Sequence, residues 1–436
     1  MTTSLKADDP LITVVTRNQE LLAGKRLLVM GDIPSLQLLN TLIPTKQALV
    51  LCDSYEMAQG LSAMMGVKLG HSLYESATKK HVTITFAAPD HEQLINQVKE
   101  LAPEVVLLFV SKSKGLSNYL LAKLSPLITT PYTLLLLGRN DSGGKSADTL
   151  VKGVASCFKR DSARKCSLFQ ANLSGQEHFK APEAPAAVTY RGMTLEQAHG
   201  LFSQGRLDQG TAYLLEELLP HLTVAAEGAT KPSAAADAAQ PGSVSAAKNT
   251  AQAQNTAQAQ NTALTPETPL NALKLTPEVA GRLQAALDLG CGSGILALTL
   301  ASLGIKQVIA TDISAIALTT TARNATRLGL NVQTYACNML PEASAMATLV
   351  PAQHKFDLIV TNPPFHQGVN RSLKETLNMI AQAPQYLTKQ GQLLLVGNTC
   401  LNYNLPLAES FTKVKALHED SKFCVYQAST IADSEA

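Results

Sequence analysis

A chain of 436 residues exceeds one ordinary domain and suits two, each with its own core. Its 45% hydrophobic share, with both charge signs interspersed, describes a globular protein, and no apolar run approaches the ~20 residues of a membrane span, so no membrane partner is expected. A net charge of +2 supplies no global field for nucleic acid, so any such contact needs a local basic patch. Seven scattered cysteines without a CxxC pair argue against a disulfide framework or a zinc site, so no metal is expected. Together with an N-terminus that lacks a basic-then-apolar leader, they point to the cytoplasm.

Short Leu-rich or β-branched runs mark the first strands: Arg26 to Met30, Ala48 to Cys52, Val82 to Phe86, Val105 to Val110 and Tyr132 to Leu137. Helix-length segments separate them, the pattern of a parallel sheet covered on both faces. This predicts a doubly wound α/β domain over residues 1–180, followed by a lead-in over 186–222. From 223 to 263 the chain is almost wholly Ala, Gln, Asn, Thr, Ser, Gly and Pro, with AQAQNT at Ala251 to Thr256 repeated at Ala257 to Thr262. Such a stretch buries too little apolar surface to offset its ordering entropy and reads as a disordered insertion. A second α/β domain follows over 264–436, with strands at Ala286 to Leu289, Gln307 to Thr311, Val332 to Ala336, Phe356 to Val360 and Gln392 to Val396. The halves also pair with each other: RLLVMGD with ALDLGCG, ALVLCDSYEMA with VIATDISAIAL, YTLLLLGRN with GQLLLVGNT. That pairing suggests an ancient duplication, although two doubly wound domains of any origin share much of it.

The chemistry concentrates at strand ends of the second half. Leu287-Asp-Leu-Gly-Cys-Gly-Ser-Gly294 closes a strand and opens a helix. Gly290, Gly292 and Gly294 permit a sharp turn and close approach to a ligand, and the helix N-terminus adds free N–H groups. The spacing is neither the dinucleotide fingerprint nor a P-loop, and alone it also fits a purely structural turn. Asp312, at the end of the next strand, can accept from both hydroxyls of a ribose. Its rival role, a helix N-cap, suits Ser314 better. Asn338, after the third strand, stands where it meets an adenine edge or serves as a plain turn residue. Asn362-Pro363-Pro364-Phe365 follows the fourth strand; its prolines stiffen the loop and remove two donors. The Asn362 amide oxygen and the Pro363 carbonyl are then paired acceptors for a planar amine, and Phe365 is a ring on which a base can stack.

These motifs resemble the class I S-adenosylmethionine-dependent methyltransferases that act on exocyclic amines. More narrowly, the chain is similar to the bacterial ribosomal RNA guanine-N2 methyltransferases, which pair a degenerate N-terminal methyltransferase-like domain with an active C-terminal one. The likeness covers both halves and includes LFSQGRLDQG (Phe202, Ser203, Asp208, Gly210), Asn140, Gly143, Lys145 and Ser146, NPPFHQG, VGNTCLNY and KFCVYQA. NPPFHQG and the KFCVYQA ending lean toward the small-subunit, 16S ribosomal RNA members. The resemblance implies that Asp288, Gly290, Gly292 and Gly294 hold the methionine part of S-adenosyl-L-methionine, Asp312 the ribose and Asn338 the adenine region. Asn362, Pro363 and Phe365 would hold the target guanine for direct in-line transfer, and His366 is expected to cap or pack more than to act as a base. The implied partner is 16S ribosomal RNA within the 30S subunit, and the protein is expected to be a monomer.

The sequence also departs from the family. The insertion separates the lead-in from the glycine-loop strand, which leaves open whether Phe202 and Asp208 still reach the cofactor site. In the first half VMGDIPS stands for the glycine loop and VSKSKG for NPPF, so neither cofactor nor base should bind there. Lys112, Lys114, Arg139, Lys145, Lys159, Arg160, Arg164 and Lys165 form a basic stretch that suits RNA phosphates or a solvated face equally. Rival readings are another amine substrate (large-subunit guanine, adenine or a protein glutamine) and an RNA-binding assembly factor without activity.

Overall fold

The computed structural model describes residues 9–225, 268–363 and 369–430. Two sheets dominate. The first contains β1 (Arg26–Gly31), β2 (Gln47–Cys52), β3 (Tyr74–Lys79), β4 (Val82–Ala87), β5 (Val105–Phe109), β6 (Tyr132–Arg139), β7 (Cys157–Ala163) and β8 (Cys166–Leu173). Their spatial order is β3-β4-β2-β1-β5-β6-β8-β7. A hairpin of β9 (Val188–Tyr190) and β10 (Met193–Leu195) and an antiparallel pair of β11 (Thr223–Ala225) and β12 (Leu273–Leu275) come next. The second sheet holds β13 (Ala285–Leu289), β14 (Gln307–Asp312), β15 (Gln333–Ala336), β16 (Phe356–Thr361), β17 (Leu387–Asn398), β18 (Lys413–Glu419) and β19 (Phe423–Ser429), in the order β15-β14-β13-β16-β17-β19-β18.

Without the edge strand β3, the two orders correspond strand for strand, as the paired sequence segments lead one to expect. All ten strands expected from the sequence are present, and the contiguous ladders among them are parallel. The central strands β5 and β13 are buried along their whole length, which is why they read as unbroken apolar runs. The low-complexity insertion expected over 223–263 lies outside the described residues except for its first three. Thr223–Ala225 form β11 and pair with Leu273–Leu275, because Val224 and its neighbours continue the buried helix Gln209–Leu222 into a ladder. Among the described residues no helix is long and apolar enough to cross a membrane, and no His/Cys/Asp/Glu group could hold a metal ion.

The two halves meet through the turns that follow β2 and β14. The Tyr55 amide donates to the Ile313 carbonyl (2.7 Å), and the Ala315 amide donates to the Asp53 carbonyl (2.9 Å). Since Ser54 and Ser314 face each other between these bonds, the seam has an approximate two-fold character. One continuous apolar cluster contains Val50 and Leu61 of the first half with Ala310 and Leu318 of the second. Ion pairs absorb part of the basic stretch in the first half: Arg139 holds Asp9 (2.7 Å) and Arg160 approaches Glu20 (3.3 Å).

Candidate active site

The C-terminal ends of β13, β14, β15 and β16 open onto one side of the second sheet, where a doubly wound fold places its ligand. After β13 the chain turns through Gly290 and Gly292, both with positive φ (+74° and +56°), and a Cβ on either would meet nothing within 4 Å. The turn is fixed from behind: the amides of Gly290 and Cys291 both donate to the Thr311 carbonyl (2.9 Å each). Gly294 differs from the expectation. At φ +89° its added Cβ would lie 2.8 Å from the Thr321 side chain, so its bareness serves packing against the helix Ala315–Leu328 rather than ligand approach. That helix also grips the loop, with the Thr321 hydroxyl donating to the Gly292 carbonyl (3.1 Å) and the Asn324 amide to the Ser293 carbonyl (3.0 Å).

The contrast gives a prediction. Gly294→Ala should destabilise the fold by about 2–4 kcal/mol, from left-handed strain plus overpacking. Gly292→Ala should cost the fold only about 1 kcal/mol and act mainly on ligand affinity. Thermal melts beside equilibrium dialysis separate the two; equal melting losses would contradict the assignment.

Three carboxylates surround this turn. Asp288 is 1% exposed; its Oδ2 accepts from the Ala297 amide (3.0 Å) and its Oδ1 has no partner. Burial pushes its pKa up to about 7, with Asp312 adding a smaller push. Asp312 is half-buried, accepting from the Gly292 amide through Oδ2 (3.1 Å) and from the Ser314 amide through Oδ1 (2.9 Å). Burial raises it too, and those amides oppose the rise. Asp53, from the first half, accepts from the Ile316 amide (2.9 Å) and the Ser314 hydroxyl (2.9 Å), and burial lifts it to about 6 against those bonds. Ser314 is the N-cap of its helix, its Oγ accepting from the Ala317 amide (3.2 Å), which leaves Asp312 free of that duty. Asn338 follows β15 at a half-exposed turn tied to β14 by the Cys337 amide on the Asp312 carbonyl (3.2 Å).

After β16, Asn362 is fixed by two bonds: its Nδ2 donates to Asp208 Oδ2 (2.7 Å) and to Thr211 Oγ1 (2.8 Å). Those partners fix which end of the amide is the oxygen, and Oδ1 is left buried and without a partner. Asp208 is also the N-cap of the helix Gln209–Leu222, taking the Thr211 amide (3.0 Å). The lead-in therefore does reach the site across the interruption in sequence. Phe202, one residue before Ser203, whose hydroxyl lies 3.5 Å from Asp208, is 60% exposed. Pro363 is buried, while Pro364, Phe365 and His366 lie outside the described residues. Thr211, Thr321 and Asn324 were not anticipated as site residues, and Asp208 was expected only as a lead-in residue whose reach to the site was open, not as the holder of Asn362.

Two orphaned buried acceptors, Asp288 Oδ1 and Asn362 Oδ1, thus flank an open glycine cradle. A buried acceptor without a donor is costly, so each is suited to an N–H donor brought by a ligand. A molecule carrying an ammonium group, a ribose and an adenine fits the set Asp288, Asp312 and Asn338, and S-adenosyl-L-methionine has all three; a planar amine fits Asn362. The first half offers no such set. At Gly31, the counterpart of the glycine turn, an added Cβ would fall 2.1 Å from the Phe109 carbonyl oxygen, so the backbone fills the cradle.

Comparison with known proteins agrees with this geometry. Residues 270–427 match the family described as Methyltransferase small domain, and residues 87–184 match Methyltransferase small domain N-terminal. A protein of Erwinia tasmaniensis named Ribosomal RNA small subunit methyltransferase C is 25% identical over 97% of this chain and 98% of its own. One of the same name from Aeromonas hydrophila is 27% identical over 95% of this chain and 96% of its own. Among solved structures, a T. thermophilus 16S rRNA guanine-N2 methyltransferase in complex with AdoMet and guanosine has a TM-score of 0.63, covering 98% of this chain and 93% of its own at 18% identity. That likeness bears on the fold, and both halves take part in it.

Proposed function

We propose, for a chain that belongs to the class I S-adenosylmethionine-dependent methyltransferases of the small-domain family, that it methylates the exocyclic N2 of a guanine in 16S ribosomal RNA. It acts on the 30S subunit in the cytoplasm, as a monomer. The observation that carries this reading is the fixed Asn362 amide, whose unpartnered Oδ1 is buried at the end of β16.

When bound, S-adenosyl-L-methionine supplies a methyl group on a sulfonium sulfur, which departs as a neutral thioether. This chain's residues do the rest. Asp288 Oδ1 takes the ammonium, Asp312 the ribose hydroxyls, and the Gly290–Gly292 turn admits the methionine part. Asn362 Oδ1 and the Pro363 carbonyl would accept the two N–H bonds of the guanine amine and so aim its lone pair at the methyl group that the cofactor supplies. The methylated amine would then be strongly acidic and would give up its surplus proton to water, since neither amide oxygen is basic enough to keep it. Phe365, outside the described residues, is the ring proposed for stacking on the base. Acceleration comes mainly from positioning.

The test offers labelled cofactor to the protein with isolated 30S particles, 50S particles and naked 16S RNA in parallel. N2-methylguanosine in small-subunit material alone is the expected result. Label in 50S material would move the substrate to the large subunit, and cofactor binding without transfer to any of the three would overturn ribosomal RNA as the substrate.

A further inference from the structure

The first half lacks a cofactor cradle, yet it holds both strand ends that carry the adenosine-binding residues. At the end of β14, Asp53 receives the Ser314 hydroxyl (2.9 Å) and the Ile316 amide (2.9 Å), and the Ser314 amide in turn donates to Asp312 (2.9 Å). One serine therefore separates a first-half carboxylate from the ribose carboxylate. At the end of β15, an edge strand whose outer backbone groups have no neighbouring strand, His71 substitutes for one. Its backbone carbonyl accepts the Ala336 amide (2.9 Å), and its Nδ1–H donates to the Ala336 carbonyl (2.8 Å), with the Tyr55 hydroxyl 3.0 Å from the same nitrogen. The imidazole also lies flat on Tyr335, 4.3 Å between centroids at 11°. Asn338 stands two residues beyond Ala336.

We propose that Asp53 and His71 are positioning residues for the cofactor: the inactive half is a clamp on the adenosine end of the active half's site. This rests on the functional reading above and extends it to residues that touch no ligand. Because the clamped turns follow β14 and β15, while Asn362 is fixed separately by Asp208 and Thr211, the clamp acts on cofactor affinity and leaves the methyl-transfer step alone.

The test uses the full chain and titrates S-adenosyl-L-methionine calorimetrically into wild type, Asp53→Ala, Asp53→Asn, His71→Phe and Asp90→Asn. Asp53→Ala should bind roughly five- to ten-fold more weakly, the effect of losing a cap. Asp53→Asn, which still accepts from the Ile316 amide, should bind nearly as wild type. His71→Phe, which keeps the stacking but loses Nδ1–H, should weaken binding to a similar degree. Asp90→Asn cuts the seam's Asp90–Arg323 pair (2.8 Å) without touching either turn, and should lower the melting temperature with affinity unchanged. With saturating cofactor, Asp53→Ala and His71→Phe should retain wild-type kcat and show only a raised KM for the cofactor. Wild-type affinity in both variants, a loss in Asp90→Asn equal to theirs, or a fall in kcat with KM unmoved would overturn the clamp. Hydrogen exchange at 311–317 and 335–338 reads the same idea without ligand: faster exchange in Asp53→Ala supports it and unchanged exchange overturns it. Failure of wild type to bind the cofactor would sink the functional reading on its own.

Discussion

Replacing Asn362 with alanine is expected to lower kcat on the RNA substrate by about 10²–10³-fold, the usual cost of one acceptor or donor aimed at the reacting group. Cofactor affinity should not move, because Asn362 stands at β16 and the residues proposed to hold the cofactor at β13, β14 and β15. Asp208→Ala should cost less, on the order of ten-fold, since Thr211 keeps one of the two bonds that orient the amide. The informative measurement is the pair: in the Asn362→Ala background, Asp208→Ala should add nothing further to the loss in kcat. Asp208 acts on the reaction only by holding an amide that is then gone. Independent, multiplying effects would mean that Asp208 touches the substrate itself.

Asp288→Asn should stabilise the ligand-free protein at pH 8 while removing its response to cofactor. In the native state burial keeps the Asp288 proton on up to about pH 7, whereas the unfolded chain releases it near pH 4. The native state therefore binds more protons between those values, and the ligand-free protein loses stability as the pH rises through that window. Three pKa units correspond to about 4 kcal/mol at most, enough for a melting shift of several degrees. The asparagine variant has no such slope. An ammonium placed on Asp288 Oδ1 reverses the effect in the wild type, so cofactor affinity should climb between pH 5 and pH 7 and then level off. Melting curves across that range, with and without cofactor, decide the matter. A variant less stable than wild type at pH 8, or a flat pH profile of affinity, would contradict the role given to Asp288.

How much of this was legible in the sequence depends on where each residue's signal lies. Most of the ten expected strands announced themselves because strands buried on both faces become apolar runs, while β15, at the sheet edge, showed only its buried end. The edge strands β7 and β18 did not, since Cys157–Ala163 and Lys413–Glu419 are largely exposed and carry charges at alternate or adjacent positions. Asp288, Asp312 and Asn362 could be singled out because each sits at the end of a recognisable strand. Thr321 and Asn324 were hidden inside a helix, where a polar residue on a buried face looks like any other. Asp208 stands 154 positions before the amide that it orients, and only the fold brings the two within 2.7 Å. The packing of Thr321 beside Gly294 was hidden too, because a glycine with positive φ has the same sequence signature whatever occupies the space beside it.

The seam between the halves also bears on the history of the chain. Ile316 belongs to the active half, yet it lines the small crevice at the strand ends of the inactive one, beside Gly31, Asp32 and Leu51. Restoring a glycine loop in place of VMGDIPS would therefore not restore a second site, because the space would still hold a side chain from the other half. The same residue ties the halves together through its backbone, since the Ile316 amide donates to Asp53 beside the candidate site. Opening a second site would therefore take changes on both sides of the contact, in the loop of the first half and at Ile316 of the second.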